Sequence, residues 1–285
     1  MGGRSLFRAT RLVGRTLSAS AFFALILSLT IFSGCKKKAE KPATAPEVRT
    51  PNRAPSKEAR NPPRPSGPRL AIILDDLGND HAAAEVIFAL SCPITLSVLP
   101  NHPHSAEIAE EARRRGYEVM LHLPMQSIGK EKPESQELRP GMSTAEVSSL
   151  LDGLLRTVPD ATGVNNHQGS QSTADLQLMD ELMPVLRQHN LFYVDSRTTA
   201  ATVAYDTAQR LGVPSGFRNT PFLDDVPELA PVRQQLHLAL RKAHEKGEVI
   251  AIGHPHPATL QALQEVLPEA RAQGIHLVYA SELVH

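Results

Sequence analysis

The chain has 285 residues, with Lys+Arg 30, Asp+Glu 30 and a formal net charge of 0, so it lacks the charge excess of a nucleic-acid surface. Hydrophobic residues make up 41%, enough for a core; aromatics are only 4%, with no Trp, which argues against an aromatic-lined sugar cleft or a base-stacking platform. Once the N-terminus is set aside, the length suits one domain.

Residues 1–35 read as a targeting segment. Arg4, Arg8, Arg11 and Arg15 form a positive start, and Ala19 to Phe32 is nearly continuously apolar. Phe32-Ser33-Gly34-Cys35 is similar to a bacterial lipobox, with Phe32 where Leu is usual; Cys35 would then carry the membrane lipid. The alternative is an uncleaved anchor helix, although the apolar run is short of the ~20 residues of a span. Both place the rest of the chain in the cell envelope, facing the periplasm and tied to a membrane. Several acyl chains together would hold it, since one binds only marginally. Lys36 is no obvious inner-membrane retention signal, so the outer membrane is favoured.

Residues 36–68 read as a tether, with eight prolines between 41 and 68. Such a stretch buries too little to offset its ordering entropy and acts as a semi-stiff spacer. Lys36, Lys37 and Lys38 either rest on anionic head groups or are solvated. With Cys35 lipidated, Cys92 stands alone in the mature domain, where no intrachain disulfide forms; it is expected to be a small buried hydrophobe.

Residues 69–285 form the folded domain. Short apolar runs predict strands at 70–74, 94–98, 117–121, 162–165, 191–194, near 213–217, at 249–252 and at 276–279. They do not alternate cleanly, as expected of strands covered on both faces. Helices are predicted at 81–90, 104–115, 143–157, 172–189, 200–210, 230–246 and 258–273. Ser143-Thr144-Ala145-Glu146 has capping-box spacing, and Gly116, Gly247 and Gly274 follow basic last turns. Regular strand–helix alternation gives a doubly wound α/β sheet or a barrel, and the domain is compact for an eightfold barrel of ~250 residues. A smaller or irregular barrel fits better, with its site in the loops after the strands. The long polar loop at 124–142 is expected to form a rim or lid.

Polar residues recur where these runs end. Asp75-Asp76 closes the first; one carboxylate can turn to a metal and the other to a water, or either can cap Leu77-Gly78-Asn79. His122 precedes Pro124, which is expected to fix a turn at the strand end; a satisfied core histidine is the alternative. His167 lies in Asn165-Asn166-His167-Gln168-Gly169-Ser170, a polar cluster or an Asn turn. Asp195 precedes Ser196-Arg197; it either orients a histidine or binds substrate, or clamps neighbouring loops. His254 is held between Gly253 and Pro255, as suits a positioned acid, with His256 at the surface or behind it and Thr259 able to cap the next helix. Asp76, His122 and His167 make an acceptable Zn²⁺ set with an open position for water. Asp75 is then the general base, His254 the general acid, and backbone N–H groups near Gly169 the oxyanion donors. Glycoside hydrolysis by paired carboxylates such as Asp75 and Asp195 is disfavoured by the histidines.

The segments AIILDDLGN, ITLSVLPNHPHS, EVMLHLPM, GVNNHQGS, LFYVDSRTTA, RNTPFLDD and VIAIGHPHPAT resemble the divergent polysaccharide deacetylase family, over about residues 70–285. The resemblance implies a distorted (β/α)7 barrel and a divalent cation, Zn²⁺ or another, held by one Asp and two His. It also implies hydrolysis of N- or O-acetyl groups on an envelope polysaccharide. By position, Asp75 resembles the general base, Asp76 and His122 metal ligands, and His254 the late catalytic histidine. Gln126 stands where the larger deacetylase group has its second metal histidine, and His167 is the inferred substitute. Arg218-Asn219 stands where Arg-Asp is usual, with Asp224 or Asp225 as replacement carboxylates. The competing expectation is a non-catalytic, lipid-tethered protein that binds glycan or a protein partner through the same cleft.

Overall fold

The computed structural model describes residues 66–129 and 132–285. The expected targeting segment and all of the tether except residues 66–68 lie outside the described residues. Among the described residues no helix is long and apolar enough to cross a membrane.

Among the described residues, eight parallel strands alternate with seven α-helices in the predicted order: β1 (Arg69–Leu77), α1 (His81–Ala89), β2 (Thr95–Val98), α2 (Ser105–Arg114), β3 (Val119–Met125), α3 (Thr144–Leu155), β4 (Gly163–Gln168), α4 (Leu176–Gln188), β5 (Phe192–Asp195), α5 (Ala204–Arg210), β6 (Ser215–Phe217), α6 (Leu229–Lys246), β7 (Glu248–Gly253), α7 (Pro257–Ala272) and β8 (His276–Val278). The helix signals act as read. Ser143 and Glu146 form the capping box of α3, and Gly116, Gly247 and Gly274 take positive φ after their helices. The stretch predicted as one helix from 172 begins as a 3-10 turn, because Asp175 starts α4 afresh by accepting the Leu178 N–H at 2.8 Å.

The strands pair in the order β6-β5-β4-β3-β2-β1-β7. One edge of β1 is shared: β8 pairs its first half at Arg69–Ala71, and β2 pairs its second half from Ile73. Backbone past β6 meets β7, where the Asn219 N–H donates to Ile250 O at 3.2 Å and the Leu223 N–H to Ile252 O at 2.9 Å. The result is a nearly closed barrel, wrapped by its helices.

Side-chain alternation sorts the apolar residues of the strands into two cores. Leu70, Ile72, Leu74, Leu121, Leu123, Tyr193, Val249 and Ala251 pack outward under the helices. Ala71, Ile73, Met120, Phe192, Val194, Ile250 and Ile252 fill the barrel interior. Continuing that alternation by two residues puts Asp75, His122, Asn165, His167 and His254 above the inner core.

Two expectations about strand ends are corrected. β1, β3 and β4 run past the apolar residues, so Asp75, Asp76, His122 and Asn165–His167 lie within strands. Pro124 makes no turn at the end of β3; it pairs with His167 in the β3–β4 ladder. The loop after β3 is also tied to the sheet, because Leu138 returns to bridge Met125.

A candidate metal centre at the barrel mouth

Asp76 breaks the alternation, and that break makes the site. A regular β1 would send Asp75 and Asp76 to opposite faces. The β1–β2 register instead shifts between Leu74 and Leu77, and Asp76 takes φ 59°, a left-handed conformation that Asp tolerates at modest cost. Asp76 thereby turns back over the barrel mouth beside Asp75.

There it meets both predicted histidines. Asp76 Oδ1 lies 3.2 Å from His122 Nε2 and 2.9 Å from His167 Nδ1, and the two nitrogens are 3.2 Å apart. Three donors ~2.1 Å from one cation stand about 3.0 Å apart on an octahedral face and about 3.4 Å apart on a tetrahedral one. The observed sides, 2.9 to 3.2 Å, lie around the octahedral spacing. Asp76 Oδ1 is itself buried without a hydrogen-bond donor.

The lone pair of His122 is aimed by a buried amide. His122 Nδ1 donates to Asn165 Oδ1 at 2.8 Å, which leaves Nε2 free for the centre. Ser97 donates to the same oxygen at 2.6 Å, and Asn165 Nδ2 donates to Asp75 Oδ1 at 2.7 Å. One side chain, 0% exposed, thus holds both a predicted ligand and the expected base. Asn165 shares the inward face with His167. Asn166 points outward, accepting from the Tyr193 hydroxyl at 3.1 Å and the Ser196 N–H at 2.9 Å.

On the opposite rim His254 forms a dyad with Asp224. Asp224 Oδ1 meets His254 Nδ1 at 2.9 Å, while Oδ2 accepts the His254 N–H at 2.6 Å and the Thr259 hydroxyl at 2.8 Å. Thr259 therefore braces Asp224 instead of capping α7, whose first position is Pro257. Gly253 admits this carboxylate, since a Cβ there would stand 3.3 Å from Asp224 Oδ2. Asp224 is thus the carboxylate that meets His254, while the side chain of Asn219 accepts the Ile250 N–H at 3.0 Å and helps close the barrel. His254 Nε2 faces the centre, 3.9 Å from Asp76 Oδ2. His256 is exposed, its ring 5.8 Å from that of His254.

The electrostatics follow from these contacts. Burial alone would raise the pKa of Asp76, but the imidazoles of His122 and His167 beside it hold its carboxyl well below the usual range. Burial disfavours a charged His122, yet Asp75 and Asp76 raise its pKa. Burial opposes the charged His254 as well; the bond to Asp224 and the charges of Asp75, Asp224 and Asp76 outweigh it and lift the imidazole to about 9. The centre is a place that calls for positive charge.

Asp195 is not brought to this centre. It follows the outward parity of Tyr193, and its oxygens accept from the Arg197 N–H and the Thr202 hydroxyl, both at 2.8 Å. Burial raises the pKa of this carboxyl. The Asp195 carbonyl accepts the Arg218 N–H at 2.9 Å, so Asp195 ties its own loop to the segment past β6, as a clamp requires. Arg197 contributes its backbone to that loop and lays its guanidinium 3.6 Å from the centre of the Phe217 ring. Gly169 turns the chain out of β4 at φ 88°, and its carbonyl accepts from Thr173.

A model of the divergent polysaccharide deacetylase family matches residues 72–284. The chain belongs to this family. It is 39% identical over 217 residues to the uncharacterized protein YibQ of Escherichia coli, covering 76% of this chain and 67% of that one. It is 40% identical over 196 residues to an uncharacterized protein of Haemophilus influenzae, covering 69% and 70%. The fold is similar to that of the uncharacterized protein ATU2773 of Agrobacterium tumefaciens, with a TM-score of 0.70 at 24% identity over 79% of this chain and 92% of that one. It is similar at a TM-score of 0.51 and 16% identity to a mutant of BA3943, described as a CE4 family pseudoenzyme with restored enzymatic activity, over 77% and 68%. As a member of the family, the chain carries the fold on which polysaccharide deacetylases are built.

Proposed function

We propose that this family member is a metal-dependent hydrolase that removes N- or O-linked acetyl groups from a cell-envelope polysaccharide, while held to the membrane by lipid on Cys35. The observation that supports it is the facing of two groups across one centre: the Asp76–His122–His167 triangle with Asp75 beside it, and the His254–Asp224 dyad opposite.

Asp76, His122 and His167 would hold the divalent cation, Zn²⁺ being suited to a mixed oxygen and nitrogen set. When bound, such a cation polarises an acetyl carbonyl and lowers the pKa of a water. The other residues have roles of their own. Asn165 fixes Asp75 through Oδ1, so Oδ2 is the oxygen that receives the proton of the attacking water. His254 is kept protonated by Asp224 and gives the proton on Nε2 to the departing sugar nitrogen or oxygen as the acyl bond breaks. Asp195 takes no part.

The test uses the full chain. About one divalent cation per chain is expected, lost in Asp76→Ala. Asp75→Asn should keep the cation yet lose ~10²–10⁴-fold in aryl acetate hydrolysis, the range for a removed general base. A chain that holds its cation but releases no acetate from aryl acetate or acetylated glycan would be a binding protein using this same cleft.

A further inference from the structure

A second group of ligand-type side chains stands on the rim, apart from the Asp76–His122–His167 triangle. A nitrogen of His254, a nitrogen of His256 and a carboxylate oxygen of Asp224 all lie within 4.8 Å of one another. A tight turn brings the two histidines together. The His256 N–H donates to His254 O at 2.8 Å across Pro255, and Pro257 opens α7 directly afterwards. Both prolines restrict the backbone, and the imidazoles meet with ring centres 5.8 Å apart and planes at 43°.

The three donors run from the interior to solvent: Asp224 is buried, His254 half-buried and His256 exposed. Asp224 Oδ1 stands 2.9 Å from His254 Nδ1, close to the ~3.0 Å between neighbouring donors on an octahedral cation. The His254 N–H and the Thr259 hydroxyl both bond to Asp224 Oδ2, which orients the carboxylate and leaves Oδ1 for the site. His256 occupies the N-cap position of α7 but caps nothing, and its ring makes no hydrogen bond among the described residues. That imidazole can therefore swing toward the other two donors without breaking a contact of its own.

We propose that Asp224, His254 and His256 form a second divalent-cation site, weaker than the first, whose filling switches off the catalytic acid. It is weaker because one of its three ligands is an exposed side chain that must be ordered on binding. The cation takes the place of the proton between His254 Nδ1 and Asp224 Oδ1, and that proton passes to solvent. The dyad is then broken: Asp224 serves the cation, and His254 is held as its ligand instead of as a proton donor. The same metal thus supports turnover at low free concentration and opposes it at a higher one. The loss of turnover rests on the deacetylase reading; the site itself does not.

The experiment is equilibrium dialysis of the full chain against buffered free Zn²⁺, with p-nitrophenyl acetate hydrolysis followed at each concentration. Wild type should take up a second Zn²⁺ above the concentration that fills the first site. Its turnover should fall about tenfold or more as that ion binds, since a general acid is worth ~10²–10⁴-fold. His256→Ala removes an exposed side chain, so the fold is kept. It should bind the second ion about tenfold or more weakly, and the Zn²⁺ that inhibits wild type should no longer inhibit it. His81 and His104 flank Glu107 elsewhere on the surface, at 3.7 and 3.0 Å from its oxygens, so His104→Ala is the control for adventitious binding and should leave the inhibition as it is. The site is overturned if wild type takes up no Zn²⁺ beyond the first, if His256→Ala binds the second ion as wild type does, or if His104→Ala removes that ion. A second ion lost in His256→Ala, in a chain that never cleaves an acetate, would retain the site and remove the deacetylase.

Discussion

Asn165 carries more of the site than any ligand does. Its amide oxygen accepts a hydrogen bond from His122 and its amide nitrogen donates to Asp75, with Ser97 fixing the amide itself. Asn165→Leu keeps the volume and removes all three bonds. It should weaken divalent-cation binding by about 10–100-fold, the usual cost of losing a group that orients a ligand. It should also lower the melting temperature, because Ser97, His122 and Asp75 are left buried without it. Competition with a fluorescent chelator and a thermal melt check both. Asn165 was visible in the sequence only as part of an asparagine cluster. Period-two alternation from Gly163 singles it out, since Asn165 shares a face with His167 and Asn166 does not.

The strands do the placing at the scale of elements. β4 carries Asn165 and His167 inward and must then leave the barrel abruptly, which Gly169 allows at φ 88° with a Cβ position only 2.9 Å from Met125 Cβ. Gly169→Ala should strain both features and cost roughly 1–3 kcal/mol. The loss would appear as a lower urea midpoint and weaker cation binding through His167. The element count and most boundaries were legible because propensity, caps and glycine stops agree with the fold along this chain. The extensions of β1, β3 and β4 were not. Their polar residues read as strand ends, whereas the ladder continues wherever a neighbouring strand supplies partners and the barrel mouth supplies water or a ligand for the side chains.

The whole molecule is closed at its base by charge as well as backbone. Arg69 at the start of β1 and the terminal His285 both pair with Glu248 at the start of β7. Burial would raise the pKa of Glu248, but His285 and Arg69 lower it below its ordinary 4.5. A carboxylate with a depressed folded pKa stabilises fully above the unfolded value and loses that contribution as pH falls through the folded one. Acid melts below pH 5 should therefore fall more steeply for wild type than for Glu248→Gln, and the two should run parallel near pH 7. Equal slopes would remove this base contact from the stability of the barrel.

The residue types of the centre, their order and the inward parity of Asp75, His122, His167 and His254 were set by the chain alone, because alternation along a strand is a local property. Asp195 shows its limit: its position after an apolar run looked catalytic, yet its parity faces away. Tertiary structure alone decided that Asp76 joins the inward set, since its left-handed turn arises where β2 pairs out of step with β1. It also chose Asp224 over Asp225 for His254. Such contacts depend on register between strands far apart in sequence, and register is settled by packing across the whole barrel.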